Sequence, residues 1–301
     1  MDEGITMLTW IEIDSTVFRR NIMSLKKKVG NDVRLMPVIK SNAYGHGLLE
    51  IGRLCDDEDA VDSVCVAGLN EALQLKRAGI KKSCIVLSFF EQEEEVVQEA
   101  LATHAISFPV YSIEQAAFLD EQAKKTTTKA RVHLKIDTGT SRVGIKPQEA
   151  VLFFRALQKY PHIEIEGVYS HFSSSEESRS ITAAQQKIFK ATLEELRAAG
   201  CDPVLRHIAC SASTALYKHS HENAVRPGIS IYGISPSDSA KKILPLKPIL
   251  SFYTKVIQIK SVEKGTAIGY GQTYIMPKKG MIATLPIGYF EGFDRGFSNK
   301  G

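Results

Sequence analysis

The alternation of short β-branched segments with longer amphipathic helical segments is the feature that most constrains the fold of this chain. Such alternation predicts parallel strands joined by helical crossovers. After one isolated strand at 9–13, it predicts eight strands, at 33–39, 64–67, 84–88, 106–111, 130–136, 163–171, 204–209 and 224–232. Eight units favour an α/β fold of the TIM (β/α)8 barrel type. A doubly wound sheet is the alternative, but no G-x-G-x-x-G follows its first strand.

Capping signals support the helical segments. Asp14 or Ser15 is placed to cap the first helix, and Asn70 is placed to cap a later one. Ser112 and Gln115 have the spacing of a capping box, in which each side chain satisfies a free backbone donor of the other.

The pattern changes after about Gly233, where a proline-rich linker leads into strand-like segments without helices between them. These segments are 249–260, 265–271 and 281–286. We therefore predict a barrel domain over 1–240 and an all-β domain over 241–301, with which the strand at 9–13 is able to pair. The last residues form no clear terminal element, so we expect this second domain to be incomplete.

Composition argues against several classes of function. The formal net charge is only +4, and short basic runs are offset by acidic ones, which does not favour nucleic-acid binding. Five cysteines without a C-x-x-C pair indicate reduced thiols and a cytoplasmic location. No apolar stretch reaches the roughly 18 residues that a membrane span needs. His219 and His221 lack a third ligand, so we expect no metal site.

The residues that end the predicted strands are candidates for chemistry, because TIM-barrel active sites form at the carboxyl ends of the strands. Lys40 ends an apolar strand, where burial favours the neutral, nucleophilic amine. A lysine that merely extends to solvent from a strand end is the alternative. Lys40 is followed by Tyr44, and later strand ends supply Arg142 and His171.

The last two barrel strands end in features suited to an anion. Ser211 starts a short helix, and free backbone amides are expected near Gly228, after Arg226. Unpaired N–H groups and the helix dipole both favour a phosphate. A lysine that binds an aldehyde, together with a phosphate cradle, indicates pyridoxal 5'-phosphate.

Seven segments, in family order, resemble the bacterial alanine racemases. The most specific is 38–47, Val-Ile-Lys-Ser-Asn-Ala-Tyr-Gly-His-Gly, which is similar to the family's pyridoxal-phosphate attachment motif. The other segments are 135–144, 169–172, 207–211, 226–233, 269–274 and 286–289. The resemblance spans essentially the whole chain and implies a TIM barrel, a β domain and a head-to-tail homodimer.

The resemblance also implies a role for each matching residue. Lys40 would bind the cofactor covalently and move the proton of the D-isomer, and Tyr270 of the partner subunit would move that of the L-isomer. Arg142 would orient the substrate carboxylate and contact Tyr270. Arg226 would donate to the pyridine nitrogen, with His171 behind it. The phosphate would be held by Tyr44, Ser211, Gly228 and Ile229.

This sequence departs from the family pattern at three places. Thr140 and Ser141 stand where Met-Gly is frequent, and Cys210 stands where Asn is frequent. The family's β domain normally continues beyond the equivalent of Gly301, and the missing part supplies a methionine near the substrate and a tyrosine on the phosphate.

The implied function is racemisation of alanine, which supplies D-alanine for peptidoglycan. Three alternatives stay open: a non-catalytic protein of pyridoxal-phosphate homeostasis, an inactive fragment, and a racemase for serine or a larger amino acid. Tyr270 in its Gly-Tyr-Gly setting favours the enzyme, because the single-barrel homeostasis proteins lack the β domain that carries it. Barrel decarboxylases are disfavoured, because Arg226 stands where they use a carboxylate.

Overall fold

The computed structural model describes residues 7–300. The chain divides into two compact units. One unit is Asp14–Ile249, and the other combines residues 7–13 with residues 250–300. Residues 241–249, which the sequence assigns to the second domain, therefore belong with the first unit.

The strands follow the predicted order along the chain. They are β1 (Thr9–Ile13), β2 (Arg34–Leu35), β3 (Ser63–Val66), β4 (Ser83–Val86), β5 (Ile106–Val110), β6 (Ala130–Lys135), β7 (Ile163–Tyr169), β8 (Leu205–His207), β9 (Ala224–Val225), β10 (Leu250–Thr254), β11 (Gln258–Val262), β12 (Ala267–Ile268), β13 (Tyr274–Ile275) and β14 (Gly280–Thr284).

The first unit is a barrel of eight parallel strands, in the order β2-β9-β8-β7-β6-β5-β4-β3. Val38 and Cys65 form a parallel bridge that brings the two edge strands of this sheet together. Because parallel strands share one direction, the carboxyl ends of all eight meet at one end of the barrel. The predicted fold class is confirmed, a TIM barrel followed by a C-terminal all-β domain.

Helices separate the barrel strands. They are α1 (Ser15–Val29), α2 (Lys40–Tyr44), α3 (Leu48–Asp56), α4 (Leu69–Arg77), α5 (Glu94–Ala102), α6 (Ile113–Lys125), α7 (Ala150–Leu157), α8 (Arg179–Ala198), α9 (Ser211–Leu216) and α10 (Asp238–Ile243). The side chain of Asp14 caps α1, and Ser112 with Gln115 forms the predicted capping box on α6. The predicted cap at Asn70 is wrong: α4 begins earlier, after Gly68, so Asn70 lies within its first turn.

Apolar burial holds the helices on the barrel. Phe18, Ile22 and Leu25 are spaced so that one face of α1 is completely buried. Burial of each such side chain stabilises the fold by roughly 1.5–3 kcal/mol. The barrel interior also holds polar side chains, since His133 and His207 are both fully buried.

The second unit is built from antiparallel strand pairs. β1 pairs with β10, β11 with β14, and β12 with β13. The strand predicted over 249–260 is two strands, because β10 pairs with β1 whereas β11 pairs with β14. The strand predicted over 265–271 ends early, since Gly269 and Gly271 have φ of 72° and 71° and turn the chain at Tyr270. Within 7–300, no helix is long and apolar enough to cross a membrane.

The last barrel strand is also shorter than predicted. β9 covers only Ala224–Val225, and Ile229–Tyr232 form a turn of 3-10 helix that ends at Gly233. Gly233 has φ of 83°, and a Cβ atom there would lie 1.7 Å from the carbonyl oxygen of Lys247. The chain therefore passes its own backbone at this point with no room for a side chain.

We expect Gly233→Ala to destabilise the barrel strongly. The left-handed backbone costs an alanine about 1–2 kcal/mol, and the clash with a fixed carbonyl adds about 1–3 kcal/mol. Urea unfolding followed by far-UV circular dichroism measures the free energy of unfolding, in which the two losses appear as a sum. Gly79→Ala is the matched control, because Gly79 has φ of 81° and nothing within 4 Å of its Cβ position. Equal losses in the two variants would contradict the close approach.

Candidate functional site

A cavity of about 350 Å³ opens where the barrel strands end. Its lining includes all eight of the residues that the sequence assigned to the barrel site. They are Lys40, Tyr44, Arg142, His171, Ser211, Arg226, Gly228 and Ile229. The ninth predicted residue, Tyr270, belongs to the second unit.

Lys40 stands at the start of a backbone segment with the opposite hand to an ordinary helix. Ser41, Asn42, Ala43 and Tyr44 all have φ between 53° and 55°. Left-handed conformations cost L-residues roughly 1–2 kcal/mol each, so four in succession persist only where other contacts hold them. This turn sets the position of both Lys40 and Tyr44.

The carboxylate of Glu71 holds this left-handed turn. Its Oε1 accepts from the backbone N–H of Ser41 at 2.5 Å and of Asn42 at 3.4 Å, and its Oε2 accepts from Ala67 N at 2.9 Å. The Asn42 side chain accepts from the backbone N–H of Leu48 at 2.8 Å. The turn is thus tied to the start of α4 on one side and to the start of α3 on the other.

Asp137 builds the loop that carries Arg142. Its Oδ1 accepts from the backbone N–H groups of Gly139, Thr140 and Ser141 at 3.0, 2.9 and 3.1 Å. Burial would raise the pKa of Asp137, but these bonds lower it below its usual value. Ser141, where family members often have glycine, adopts φ of 52° within this loop.

Arg226 is a buried cation in the wall of the cavity. It is 4% exposed, and burial lowers its pKa from the usual arginine value. One terminal nitrogen donates to the carbonyl of Ser170 at 2.7 Å and lies 3.5 Å from Nδ1 of His171, while the other donates to Nδ1 of His207. Burial and the charge of Arg226 both lower the pKa of His171 well below its usual value, so this imidazole is neutral.

The Tyr169 ring lies beside two basic side chains in the barrel interior. The Nζ of Lys135 lies 4.5 Å from the centre of its ring, and the guanidinium carbon of Arg226 lies 5.4 Å from it. The Tyr169 hydroxyl donates to the carbonyl of Leu87 at 2.7 Å. Burial, then the charges of Arg226 and Arg142, lower the pKa of Lys135 far below its ordinary value.

Ser211, Gly228 and Tyr44 form one edge of the cavity. The Ser211 hydroxyl oxygen accepts from the backbone N–H of Gly228 at 2.9 Å and of Ser230 at 3.3 Å. A Cβ atom at Gly228 would lie 2.7 Å from the Tyr44 hydroxyl, so only glycine lets this backbone and that phenol approach each other. Cys210 lies beside them, with its Sγ 3.1 Å from Oγ of Ser175.

Tyr270 lies in a turn of 3-10 helix in the second unit, and its side chain is completely exposed. Its surface neighbours include Tyr274, Tyr289 and Arg295. Among residues 7–13 and 250–300 of its own unit, nothing restricts access to the phenol.

Sequence reasoning missed several residues that position the site: Glu71, Lys135, Asp137, Tyr169, His133 and His207. Lys135, Asp137, Tyr169 and His207 lie in segments that were singled out as motifs, so strand-end placement was an available signal. Glu71 and His133 carried no such signal, because one lies on a helix and the other within a strand. In the described part of the chain, no three His, Cys, Asp or Glu side chains gather as a metal-binding group.

Comparisons with known proteins agree on one family across both units. The family profile described as alanine racemase, N-terminal domain, matches residues 13–236, and the profile for the C-terminal domain matches residues 249–301. The alanine racemase of Symbiobacterium thermophilum is 36% identical over 293 residues, which are 97% of this chain and 76% of that protein.

Solved structures give the same result. The alanine racemase of Clostridium difficile 630 has a TM-score of 0.90 and 36% identity, covering 97% of this chain and 76% of its own. The histidine racemase of Leuconostoc mesenteroides subsp. sake has a TM-score of 0.85 and 25% identity, covering 97% and 77%. The matched segments include the strand ends that form the cavity, and the chain belongs to the alanine racemase family.

Proposed function

We propose that the barrel cavity binds pyridoxal 5'-phosphate and that the chain is an alanine racemase, interconverting L- and D-alanine. The observation that carries this proposal is the convergence of Lys40, Arg142, Arg226 and Ser211 on one cavity at the strand ends. As in the bacterial family, we propose that the D-alanine serves peptidoglycan synthesis in the cytoplasm.

The Ser211 hydroxyl fits the phosphate of this cofactor. Because its oxygen already accepts two backbone N–H bonds, its own proton is left for another acceptor. The missing Cβ of Gly228 leaves the Tyr44 hydroxyl open to the same acceptor, whereas the Gly228 N–H, expected to be free, already donates to Ser211. A phosphate oxygen meets this requirement, because it is an acceptor of several hydrogen bonds.

The charges around the cavity fit two anionic groups, the phosphate and a substrate carboxylate. The lining carries the guanidiniums of Arg142 and Arg226 against a single carboxylate, Glu176, whose pKa is raised, first by burial and then by Glu177. A guanidinium presents a planar pair of donors to a carboxylate, so Arg142 is the group suited to orient the amino acid.

Racemisation requires that one group removes a proton from Cα and that another returns a proton to the opposite face. The bound cofactor supplies an aldehyde and a ring that withdraws electrons from Cα. Lys40 would hold that aldehyde through its amine between turnovers, and its free amine would move the proton on one face of Cα when the amino acid is bound. Arg226 stays charged, because a guanidinium keeps its protons even in a protein interior, and it donates a hydrogen bond without giving up a proton.

Tyr270 is proposed as the second base, in the site of a partner subunit. Its complete exposure leaves the phenol free to enter another chain. A two-fold dimer then has two identical sites, each with Lys40 from one subunit and Tyr270 from the other.

Exchange in deuterated water tests the reaction. We expect the chain, given pyridoxal phosphate and L-alanine, to exchange the Cα proton for deuterium and to form D-alanine. We expect Lys40→Ala to lose both activities and also the cofactor mass that borohydride otherwise fixes on the peptide containing Lys40. Chiral chromatography and peptide mass spectrometry give the two readouts.

The control is Lys187→Ala, because Lys187 is an exposed lysine on α8 outside the cavity. A borohydride-fixed cofactor at the same level in Lys40→Ala would overturn the role of Lys40. Cofactor binding without exchange would favour a non-catalytic binding protein. Faster exchange with serine or histidine than with alanine would favour a racemase for another amino acid.

Mixed dimers test the placement of Tyr270. We expect Lys40→Ala and Tyr270→Phe to be inactive alone, and co-expression of the two to restore about a quarter of the wild-type rate. Half of the dimers would be mixed, and each mixed dimer would hold one intact site of two. The measurement is D-alanine formation per mole of protein.

If Tyr270 acts in its own subunit, the mixed dimers stay inactive, because neither chain holds both residues. Tyr253→Phe is the matched control, since Tyr253 is an exposed tyrosine on β10 of the same unit.

A further inference from the structure

A chain of four side chains runs through the barrel interior away from the cavity. Arg226 donates to Nδ1 of His207, Nε2 of His207 lies 2.8 Å from Nδ1 of His133, and Nε2 of His133 lies 3.0 Å from Oε2 of Glu166. Both histidines are completely buried. The chain therefore continues well past the groups that face the cavity.

The direction of every proton in this chain is fixed by its two ends. A guanidinium has only donors, so Nδ1 of His207 carries no proton and its Nε2 must carry one. His207 then donates to Nδ1 of His133, which leaves the proton of His133 on Nε2, facing Glu166. Burial and the charge of Arg226 lower the pKa of His207, and burial lowers that of His133, so both rings are neutral.

Glu166 ends the chain as a carboxylate. Burial would raise its pKa, but the hydrogen bonds from His133 and Ser107 and the charge of Arg131 lower it to about 2. Arg131 also donates to the carbonyl of His104, just before β5 begins. Glu166 thus lies toward the amino ends of the strands, whereas Arg226 follows the carboxyl end of β9. The hydrogen bonds span the barrel from one end toward the other.

The strands are shaped around this chain. A Cβ atom at Gly167 would lie 2.4 Å from Nδ1 of His133, so the next residue after Glu166 leaves space for the imidazole. The pairing of β6 with β7 shifts register between Val132 and His133 at the same level. Tyr169 stacks on His207 with ring centres 5.2 Å apart and planes 10° apart, which fixes the second ring.

We propose that Glu166 is a positioning residue for Arg226: its carboxylate fixes the tautomers of His133 and His207, which keeps an acceptor facing the buried guanidinium. Without an acceptor at Glu166, His133 can carry its proton on Nδ1. His207 must then move its own proton to Nδ1, where it opposes a donor of Arg226. Two donors that face each other in a buried site are unfavourable, so Arg226 then loses its hydrogen bond to His207. The consequence for catalysis rests on the proposed function.

The tautomers are measured on the cofactor-free protein. Long-range 1H–15N correlation spectra of the imidazole rings distinguish protonated from unprotonated nitrogens, and His133→Phe and His207→Gln identify the signals. In the wild type we expect both rings to carry the proton on Nε2. We expect Glu166→Leu to lose this preference at both rings. Glu166→Gln keeps an acceptor oxygen, so we expect both rings of this variant to keep the proton on Nε2.

The control is Glu164→Leu, an exposed residue two positions earlier on β7, which should leave both rings unchanged. If Glu166→Leu does not fold, His133→Phe breaks the same chain at its middle and should release the His207 tautomer. An Nδ1-protonated ring in the wild type, or unchanged tautomers in Glu166→Leu, would overturn the proposal.

Kinetics give the second readout. We expect Glu166→Leu to lower kcat for alanine by about tenfold or more, as loss of a partner behind a functional histidine does, with KM unchanged and with rescue by Glu166→Gln. A kcat equal to that of Glu164→Leu would overturn the positioning role. If no variant, including the wild type, racemises alanine, the proposed function fails, while the tautomer measurement still decides the proposal on Glu166.

Discussion

The burial of one guanidinium, that of Arg226, is the constraint to which the interior of the barrel conforms. An unpaired buried charge costs several kcal/mol, so the chain must supply acceptors where a barrel normally packs branched apolar residues. Ser170 and His207 accept from Arg226, and the face of the Tyr169 ring lies beside it. The two histidines near the cation, His171 and His207, stay neutral because burial, and then the charge of Arg226, lowers their pKa.

The positive charge of Arg226 also affects the other basic groups of the cavity. Burial and then the charges of Arg226 and Arg142 lower the pKa of Lys135 far below its ordinary value, which disfavours a third positive charge beside them. The left-handed turn after Lys40 is held separately, by Glu71 on a neighbouring helix. Two independent supports therefore position Lys40 and Arg226.

The sequence predicts the barrel and eight of the nine named residues as neighbours, because parallel strands bring their carboxyl ends together whatever their exact lengths. It does not predict the chain from Arg226 to Glu166. That contact between His133 and Glu166 depends on a register shift in β6 and β7, and no local pattern marks a register.

Local sequence patterns also failed to predict two turns in which the backbone conformation departs from the local propensity. The segment at Tyr270 has the aromatic and apolar composition of a strand, but Gly269 and Gly271 take positive φ and form a turn. The short helix that starts at Lys40 reads as an ordinary strand-to-helix connection, and its left-handed path follows from the contacts of Glu71. Both features depend on residues or conformations that strand periodicity does not encode.

The neutral histidines of the barrel have a consequence for proton linkage. Above about pH 6.5 neither the folded nor the unfolded imidazoles bind a proton, and these groups leave the stability unchanged. Below that pH, the imidazoles of His133, His171 and His207 bind a proton in the unfolded chain but not in the folded one. The free energy of unfolding therefore falls by up to about 1.4 kcal/mol per pH unit for each ring. Glu166 adds a loss of the same sign at lower pH, between its unfolded pKa and a folded value of about 2. The groups that hold Arg226 in place therefore also lower the free energy of unfolding in acid, so the barrel unfolds more readily at low pH.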